Sequence, residues 1–385
     1  MKHNWEYKKL DEVCTIKSGY TPSSDDLATD GDFPYFKVAE MNLSGNEKYL
    51  IHSPSYISGN IKTFPANSIV FPKNGAAVST NKKRILQVAS VVDLNTAVMI
   101  AHQNISAEYL YYILINIDFA TLVKRGAVPT LNIPELKKIN IPIPPMKVQE
   151  QIVAELDKIN EVIADCRELL RNLDALAQSL FYDFFGDPIT NPKAWKVKIV
   201  KEFAKVKIGP FGSCLHKEDY ISGGTPLVNP IHMLNGYIKV DNDFTIDNVK
   251  REELINYLLK SNDIVLGRRG DIGRCALVTS NEDGYLCGTG SLFVRFSINI
   301  NPLFSLWCFH QPAISQYLIE KAKGATMLNI NSGIIESIPL ILPPLALQEQ
   351  FAARIEQIEE QKKSVEQTIS ELQTLLDSRM DYWFN

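Results

Sequence analysis

Residues 144–185, PPMKVQEQIVAELDKINEVIADCRELLRNLDALAQSLFYDFF, recur without a gap as residues 343–384, PPLALQEQFAARIEQIEEQKKSVEQTISELQTLLDSRMDYWF, a constant shift of 199 positions. Both copies open Pro-Pro-x-x-x-Gln-Glu-Gln and close on an aromatic pair, Phe184-Phe185 and Trp383-Phe384. A proline pair suits a helix entry, where the missing N–H would have no partner in any case. Glu150 and Glu349 follow within the first turns and complement the positive end of the helix dipole. Ile152, Leu156, Ile159, Ile163, Cys166, Leu170, Leu173, Ala177, Leu180 and Phe184 then alternate spacings of four and three, the seam of a heptad repeat. The second copy repeats it through Phe351, Ile355 and Ile358 to Val365, Ile369, Leu372, Leu376 and Trp383, with Lys362 and Arg379 as polar breaks that can fix register. At a rise of 1.5 Å per residue, each uninterrupted helix is about 55–60 Å long.

Working outward, the segments ahead of the two helices repeat as well. Trp5 in WEYKKLDEVCTIKSG matches Trp195 in WKVKIVKEFAKVKIG, which sets Gly19 on Gly209. Asn67-Ser68-Ile69-Val70 matches Asn262-Asp263-Ile264-Val265, and GAVPTLNI from Gly126 matches GATMLNI from Gly324. The offset drifts between 190 and 199 in these modules while the helical segment keeps its length. The chain is therefore a module plus a helix, twice over. Short strand patterns at 68–71, 263–266 and 292–296 and short helical ones at 107–115 and 313–323 make each module α+β. The expected domains are a first module at 1–145, a helical spacer at 146–185, a second module at 186–342 and a second spacer at 343–385. Two equal helices, each following one module, can pair as an antiparallel coiled coil within the chain; a generic dimerisation arm fits the seam equally well.

The net charge of −4 is unevenly distributed. Residues 146–185 and 345–385 each carry four Lys or Arg against eight Asp or Glu, which leaves each module at +2. Acidic helices suit a protein-docking surface and mildly basic modules can meet nucleic acid. No apolar run reaches the roughly 18–20 residues of a membrane span, and MKHNWEYKKL lacks a signal-peptide core. The six cysteines form no Cys-x-x-Cys pair, which argues against zinc and disulfides and fits a cytoplasmic protein. No histidine pair has metal-ligand spacing.

Basic residues cluster at Lys82-Lys83-Arg84, Lys124-Arg125, Arg268-Arg269 with Arg274, and Lys321 with Lys323. Any one such cluster also reads as a solvated loop. Two of them recur in the repeat. Lys124-Arg125 and Lys321/Lys323 each precede the Gly-Ala landmark, while Lys73, with Asn74, and Arg268-Arg269 follow the Asn-x-Ile-Val strand. A basic, glycine-containing loop after a strand can approach phosphates and aim Arg at guanine edges. Motifs for catalysis are missing. There is no Walker-type phosphate loop and no glycine-rich methyl-donor loop. Asn301-Pro302-Leu303-Phe304 approaches a methyltransferase tetrapeptide, but Leu303 stands where a second proline belongs.

This order of parts resembles the specificity subunits of Type I restriction-modification systems over essentially the whole length. The resemblance rests on LNIPELKKINIPIPPMKVQEQ and LNINSGIIESIPLILPPLALQEQ ahead of the helices and on NDIVLGRRGDIG in the second module. It implies two target-recognition domains, each reading half of a split double-stranded DNA site, with the helices setting the unread spacer. It also implies docking of two modification subunits on the helices, and Gln149, Gln151, Ile152, Leu156, Ile159 and Ile163, with Gln348, Gln350, Phe351, Ile355 and Ile358, are the candidates for that docking surface and the helix seam. Those partners would bring S-adenosylmethionine and adenine methylation, and restriction subunits would add ATP- and Mg-dependent translocation and cleavage. This chain would itself be non-catalytic and hold no cofactor. In the first module Phe71-Pro72-Lys73-Asn74-Gly75 replaces the fuller Leu266-Gly267-Arg268-Arg269-Gly270, which weakens the transfer of contact residues there. Two competing readings remain: a specificity subunit serving a methyltransferase without an ATP-driven partner, and a coiled-coil scaffold whose modules bind protein.

Overall fold

The computed structural model describes residues 5–124, 126, 128–211, 214–270, 272–322 and 329–384. The chain divides into two units, Met1–Glu168 with Glu366–Asn385, and Leu169–Val365. Each combines one module with parts of both long helices, Met146–Phe185 and Leu345–Phe384.

In the first unit the central sheet runs Cys14–Ser18, Thr96–Ala101, Ile69–Pro72, Arg84–Leu86, Tyr49–Leu50, antiparallel except for the last pair. The second unit repeats its first four strands as Ala204–Ile208, Ser291–Phe296, Ile264–Gly267 and Cys275–Leu277. A smaller sheet holds a parallel pair in both units, Phe33–Phe36 with Val91–Val92 and Thr225–Val228 with Leu286–Cys287. The strand entering each module pairs antiparallel with the one leaving it, Glu6–Lys9 with Asn140–Ile143 and Val197–Ile199 with Pro339–Ile341, so each module closes on itself beside its long helix. The repeated Asn-x-Ile-Val landmark has a backbone cause. Asn67 and Asn262 adopt the left-handed region (φ 61° and 72°) just before the strand, a conformation asparagine tolerates better than most residues.

The helical expectations hold, and the seam is where the helices meet their modules. Ile152 and Leu156 are fully buried with Tyr109, Leu110 and Leu136 in the first unit, alongside Met380 from the far end of the second helix. In the second unit Phe351 and Ile355 bury with Phe181, Phe185 and Phe304; the Phe185 ring lies 4.7 Å from Phe304 and 5.2 Å from Phe351. The helices pair antiparallel in each unit. The guanidinium of Arg379 bonds the Glu155 carboxylate, which also accepts from the Trp383 indole at 3.1 Å. Lys362 bridges Asp174 at 2.8 Å and Glu359 at 3.0 Å. Both polar breaks in the seam are thus ion-paired across it. Gly186 (φ 76°) then ends the first helix, its N–H donating to the Tyr182 carbonyl at 2.8 Å in a left-handed C-cap.

One repeat register is corrected. Pairing the two Leu-Asn-Ile triplets aligns Asn132 with Asn329, but Asn132 and Asn331 are the residues that cap matching short helices. Their side chains accept from Glu135 N and Ile334 N. The shift of 199 therefore extends back to Leu131 and Ile330, and the length difference falls before them. A cap needs its side-chain acceptor three residues ahead of the N–H it satisfies, a constraint stronger than local identity.

Candidate nucleic-acid interface

The loop after the strand Ile69–Pro72 is built like the loop after Ile264–Gly267. In the first unit Lys73 N–H donates to Asn95 O (2.9 Å) and Lys73 O accepts from Leu131 N (2.9 Å), while Asn74 bridges Thr130. In the second, Arg268 N–H donates to Gly290 O (3.0 Å), Arg268 O accepts from Ile330 N (2.9 Å), and Arg269 bridges Asn329. Lys73 is therefore the counterpart of Arg268, and Asn74 of Arg269. Gly75 and Gly270 follow at φ 79° and 78°, where a side chain would be strained. The paired Gly19 and Gly209 also have a common cause: a Cβ there would lie 2.2 Å from Asp93 O or 2.0 Å from Gly288 O.

The basic residues singled out from the sequence separate into groups. Lys73 is half-buried with Nζ 2.7 Å from Ser18 Oγ, and burial pulls its ammonium below the ordinary lysine range. Asn74 Nδ2 lies 3.5 Å from Asn95 Oδ1. Lys124 is exposed on a short strand opposite Thr130, next to the same loop. Lys73, Asn74 and Lys124 thus come together. In the second unit Arg269 is exposed, whereas Arg268 is only 6% exposed, its guanidinium 6.0 Å from the Phe211 ring centroid. Burial, then the neighbouring Arg269 charge, lowers the Arg268 pKa. Arg274 donates to Pro230 O at 3.1 Å, and Lys321 ends a helix with Nζ 5.8 Å from the Tyr317 ring. Arg125 and Lys323 lie outside the described residues.

Lys83 must be withdrawn from the contact set. Its side chain is fully buried, with Nζ 3.9 Å from the Phe119 ring centroid and donating to Ile117 O at 2.9 Å and to Asn81 Oδ1. Burial drops its pKa to about 7 against the pull of Asp118. Its neighbours are also engaged: Lys82 donates to Asn42, and Arg84 donates to Met41 O and Lys83 O.

Gln149 and Gln348, assigned with the docking surface and helix seam, face inward. Gln149 is fully buried; its Oε1 accepts from Ser106 N (2.9 Å) and its Nε2 donates to Pro144 O (2.9 Å) and Asn104 O (3.2 Å). Gln348 repeats this with Asn301 N (2.9 Å) and Pro343 O (2.8 Å). Each glutamine ties the start of its long helix to the N-cap of a short helix in the module, Ser106 before Ala107–Asn116 and Asn301 before Pro302–His310. Asn301 of the near-methyltransferase tetrapeptide is therefore a cap. Ile152, Leu156, Ile159, Ile163, Phe351, Ile355 and Ile358 are also buried within their own units, while Gln151 and Gln350 are exposed. Phe211, 60% exposed beside Arg268, was not anticipated; its position two residues after the paired Gly209 was the available signal.

Among the described residues no group of three His, Cys, Asp or Glu could hold a metal ion, and no helix is long and apolar enough to cross a membrane. What the site offers is a doubled scaffold that presents short polar and cationic loops from a rigid sheet. The Type I restriction modification DNA specificity domain matches residues 2–171 and again 192–374, and the chain belongs to that family. It is a Type I restriction-modification specificity subunit carrying both copies of the domain. It is 21% identical to the MjaIX specificity subunit of Methanocaldococcus jannaschii, over 97% of this chain and 91% of that one. A putative type I specificity subunit of Haemophilus influenzae is 20% identical over 94% and 89%. The fold is similar to that of the Type I S subunit of M. genitalium, with a TM-score of 0.57 at 14% identity, covering 99% of this chain and 96% of that one. A chain from a structural study of type I R-M complex assembly gives 0.61 at 17%, covering 98% and 96%.

Proposed function

We propose that each module reads one half of a split double-stranded DNA site and that the paired helices set the unread spacer and receive two modification subunits. The observation that carries this is the doubled loop: Lys73-Asn74-Gly75 and Arg268-Arg269-Gly270 hang from equivalent strands by equivalent backbone bonds, yet differ in side chain. A common frame with divergent loop residues is what reading two different half-sites requires. Lys124, Arg269 and Lys321 are the exposed charged groups among the described candidates, open to phosphate or base contact. The chain supplies the address only. S-adenosylmethionine would be held by the modification subunits, and ATP and Mg by restriction subunits acting in the cytoplasm.

The test is a map of methylated adenines by single-molecule sequencing in cells with and without this chain, beside its modification subunit. A split motif that disappears with the chain is the expected result. Unchanged methylation would overturn the reading.

A further inference from the structure

The two modules differ at the residue that follows the paired glycine by two positions. In the first it is Thr21, whose hydroxyl donates to Asp93 Oδ2 at 2.8 Å. In the second it is Phe211, 60% exposed. Isolated exposed apolar residues are ordinary, but this ring is displayed by an unusually constrained base. Gly209 N–H donates to Ser291 O at 3.0 Å, and no Cβ fits at Gly209 or at Gly288, which stacks beneath it against Asn229 Oδ1. Arg268, 6% exposed, is anchored to the same segment through Gly290 O, and its guanidinium lies beside the ring. With the cation 6.0 Å from its centroid, Phe211 is still 60% open to solvent. Arg269, exposed next in sequence, supplies charge at the rim.

We propose that Phe211 is a stacking residue of the second module: its ring packs on a base step of that half-site and locally unstacks it, with Arg268 as the positioning residue behind it. The assignment rests on the reading that the modules bind DNA. An aromatic face accepts any base, so it adds affinity and sensitivity to how readily a step deforms rather than a hydrogen-bond code. The cationic surround favours nucleic acid over a protein partner as the occupant. The first module places Thr21, turned to Asp93, at the equivalent position, so this deformation is assigned to the half-site of the second module.

The experiment uses the full chain assembled with its modification subunits and a duplex carrying the split motif. 2-Aminopurine is placed at successive positions of each half-site in turn, away from the methylated adenine. The wild-type complex is expected to raise fluorescence at one step of one half-site. Phe211→Ala should abolish that signal and weaken binding on the order of tenfold or more. Phe211→Trp should retain both, Phe211→Leu should be intermediate, and Thr21→Ala should leave the signal unchanged. Equal affinity and equal fluorescence for Phe211→Ala would overturn the proposal. So would loss of modification subunits from that variant on gel filtration before DNA is added, which would make the ring a protein contact. Failure of the wild-type complex to bind the split duplex would instead remove the DNA-binding reading itself, and this proposal with it.

Discussion

The strand Ile69–Pro72 and the strand Ile264–Gly267 occupy the same place in their sheets, yet what surrounds them is chemically different. Beside the second lies Asp263, 1% exposed, held by Arg295 through Nε (2.8 Å) and Nη2 (2.6 Å), with Nη2 also donating to Leu258 O. At the equivalent places the first module has Ser68, whose hydroxyl donates to Pro65 O, and Ile100. At the start of the neighbouring strand the first module buries Lys83, just ahead of Arg84, where the second buries Cys275. One frame thus tolerates different internal polar devices, because each satisfies its own buried groups locally. The loops that the strands launch can then diverge without redesign of the sheet.

The comparison breaks most visibly at the ion pair. Asp263→Ala leaves the Arg295 guanidinium without its carboxylate partner and should cost the second unit roughly 2–4 kcal/mol, somewhat less than a fully buried pair because Arg295 retains partial solvent access. Ser68→Ala in the first unit should cost about 1 kcal/mol. Urea denaturation of each variant measures both, and equal losses would show that the two modules do not differ in this respect.

The repeated glutamines come next. Gln149 makes three hydrogen bonds and Gln348 two. Replacing either by Leu leaves an N-cap N–H unpaired, a cost of about 1–3 kcal/mol, and Gln149→Leu should be the worse. Thermal melts of the two variants would sink this ordering if they came out reversed.

The buried lysine gives a pH signature. Burial makes Lys83 harder to charge in the folded protein, with its pKa at about 7 against 10.5 ordinarily. Folding therefore expels its proton between those values, and the stability it contributes is full above 10.5 and lost progressively as pH falls to 7. Raising the pH from 7 to 9.5 should stabilise wild type relative to Lys83→Met, which has nothing to titrate there. Parallel pH–stability curves for the two proteins would contradict the placement of Lys83 indoors.

Much of this was legible beforehand for a physical reason. The ungapped shift of 199, the heptad seam and the proline entry are local and periodic, so a single chain carrying two copies displays them twice. The Asn67/Asn262 and Gly19/Gly209 pairs were visible as identities before their causes, a left-handed turn and a backbone approach, were known. Burial of individual polar residues was not legible. Lys82, Lys83 and Arg84 look like one basic surface run, but Lys83, just ahead of the strand Arg84–Leu86, turns inward, where Phe119 and Ile117 O receive it. The Gln-Glu-Gln motif looked like a surface signature because its partners, Ser106 and Asn301, are more than forty residues away in sequence. Likewise Arg268-Arg269 reads as a doublet, while only Arg269 is exposed.

That last distinction supports the finest test. If the two loops bind DNA in the same pose, Arg269 carries a charge where Asn74 carries none. Each neutralised phosphate steepens the salt dependence of binding by about one unit of log K against log salt. Arg269→Gln should therefore flatten that slope by about one, whereas Asn74→Ala should leave it unchanged while shifting affinity modestly. The measurement is a titration of the assembled complex on the split duplex from low to moderate salt. A slope unaltered by Arg269→Gln would mean that the exposed arginine meets a base edge or no DNA at all. Retention of half-site preference by the same variant would separate those two cases.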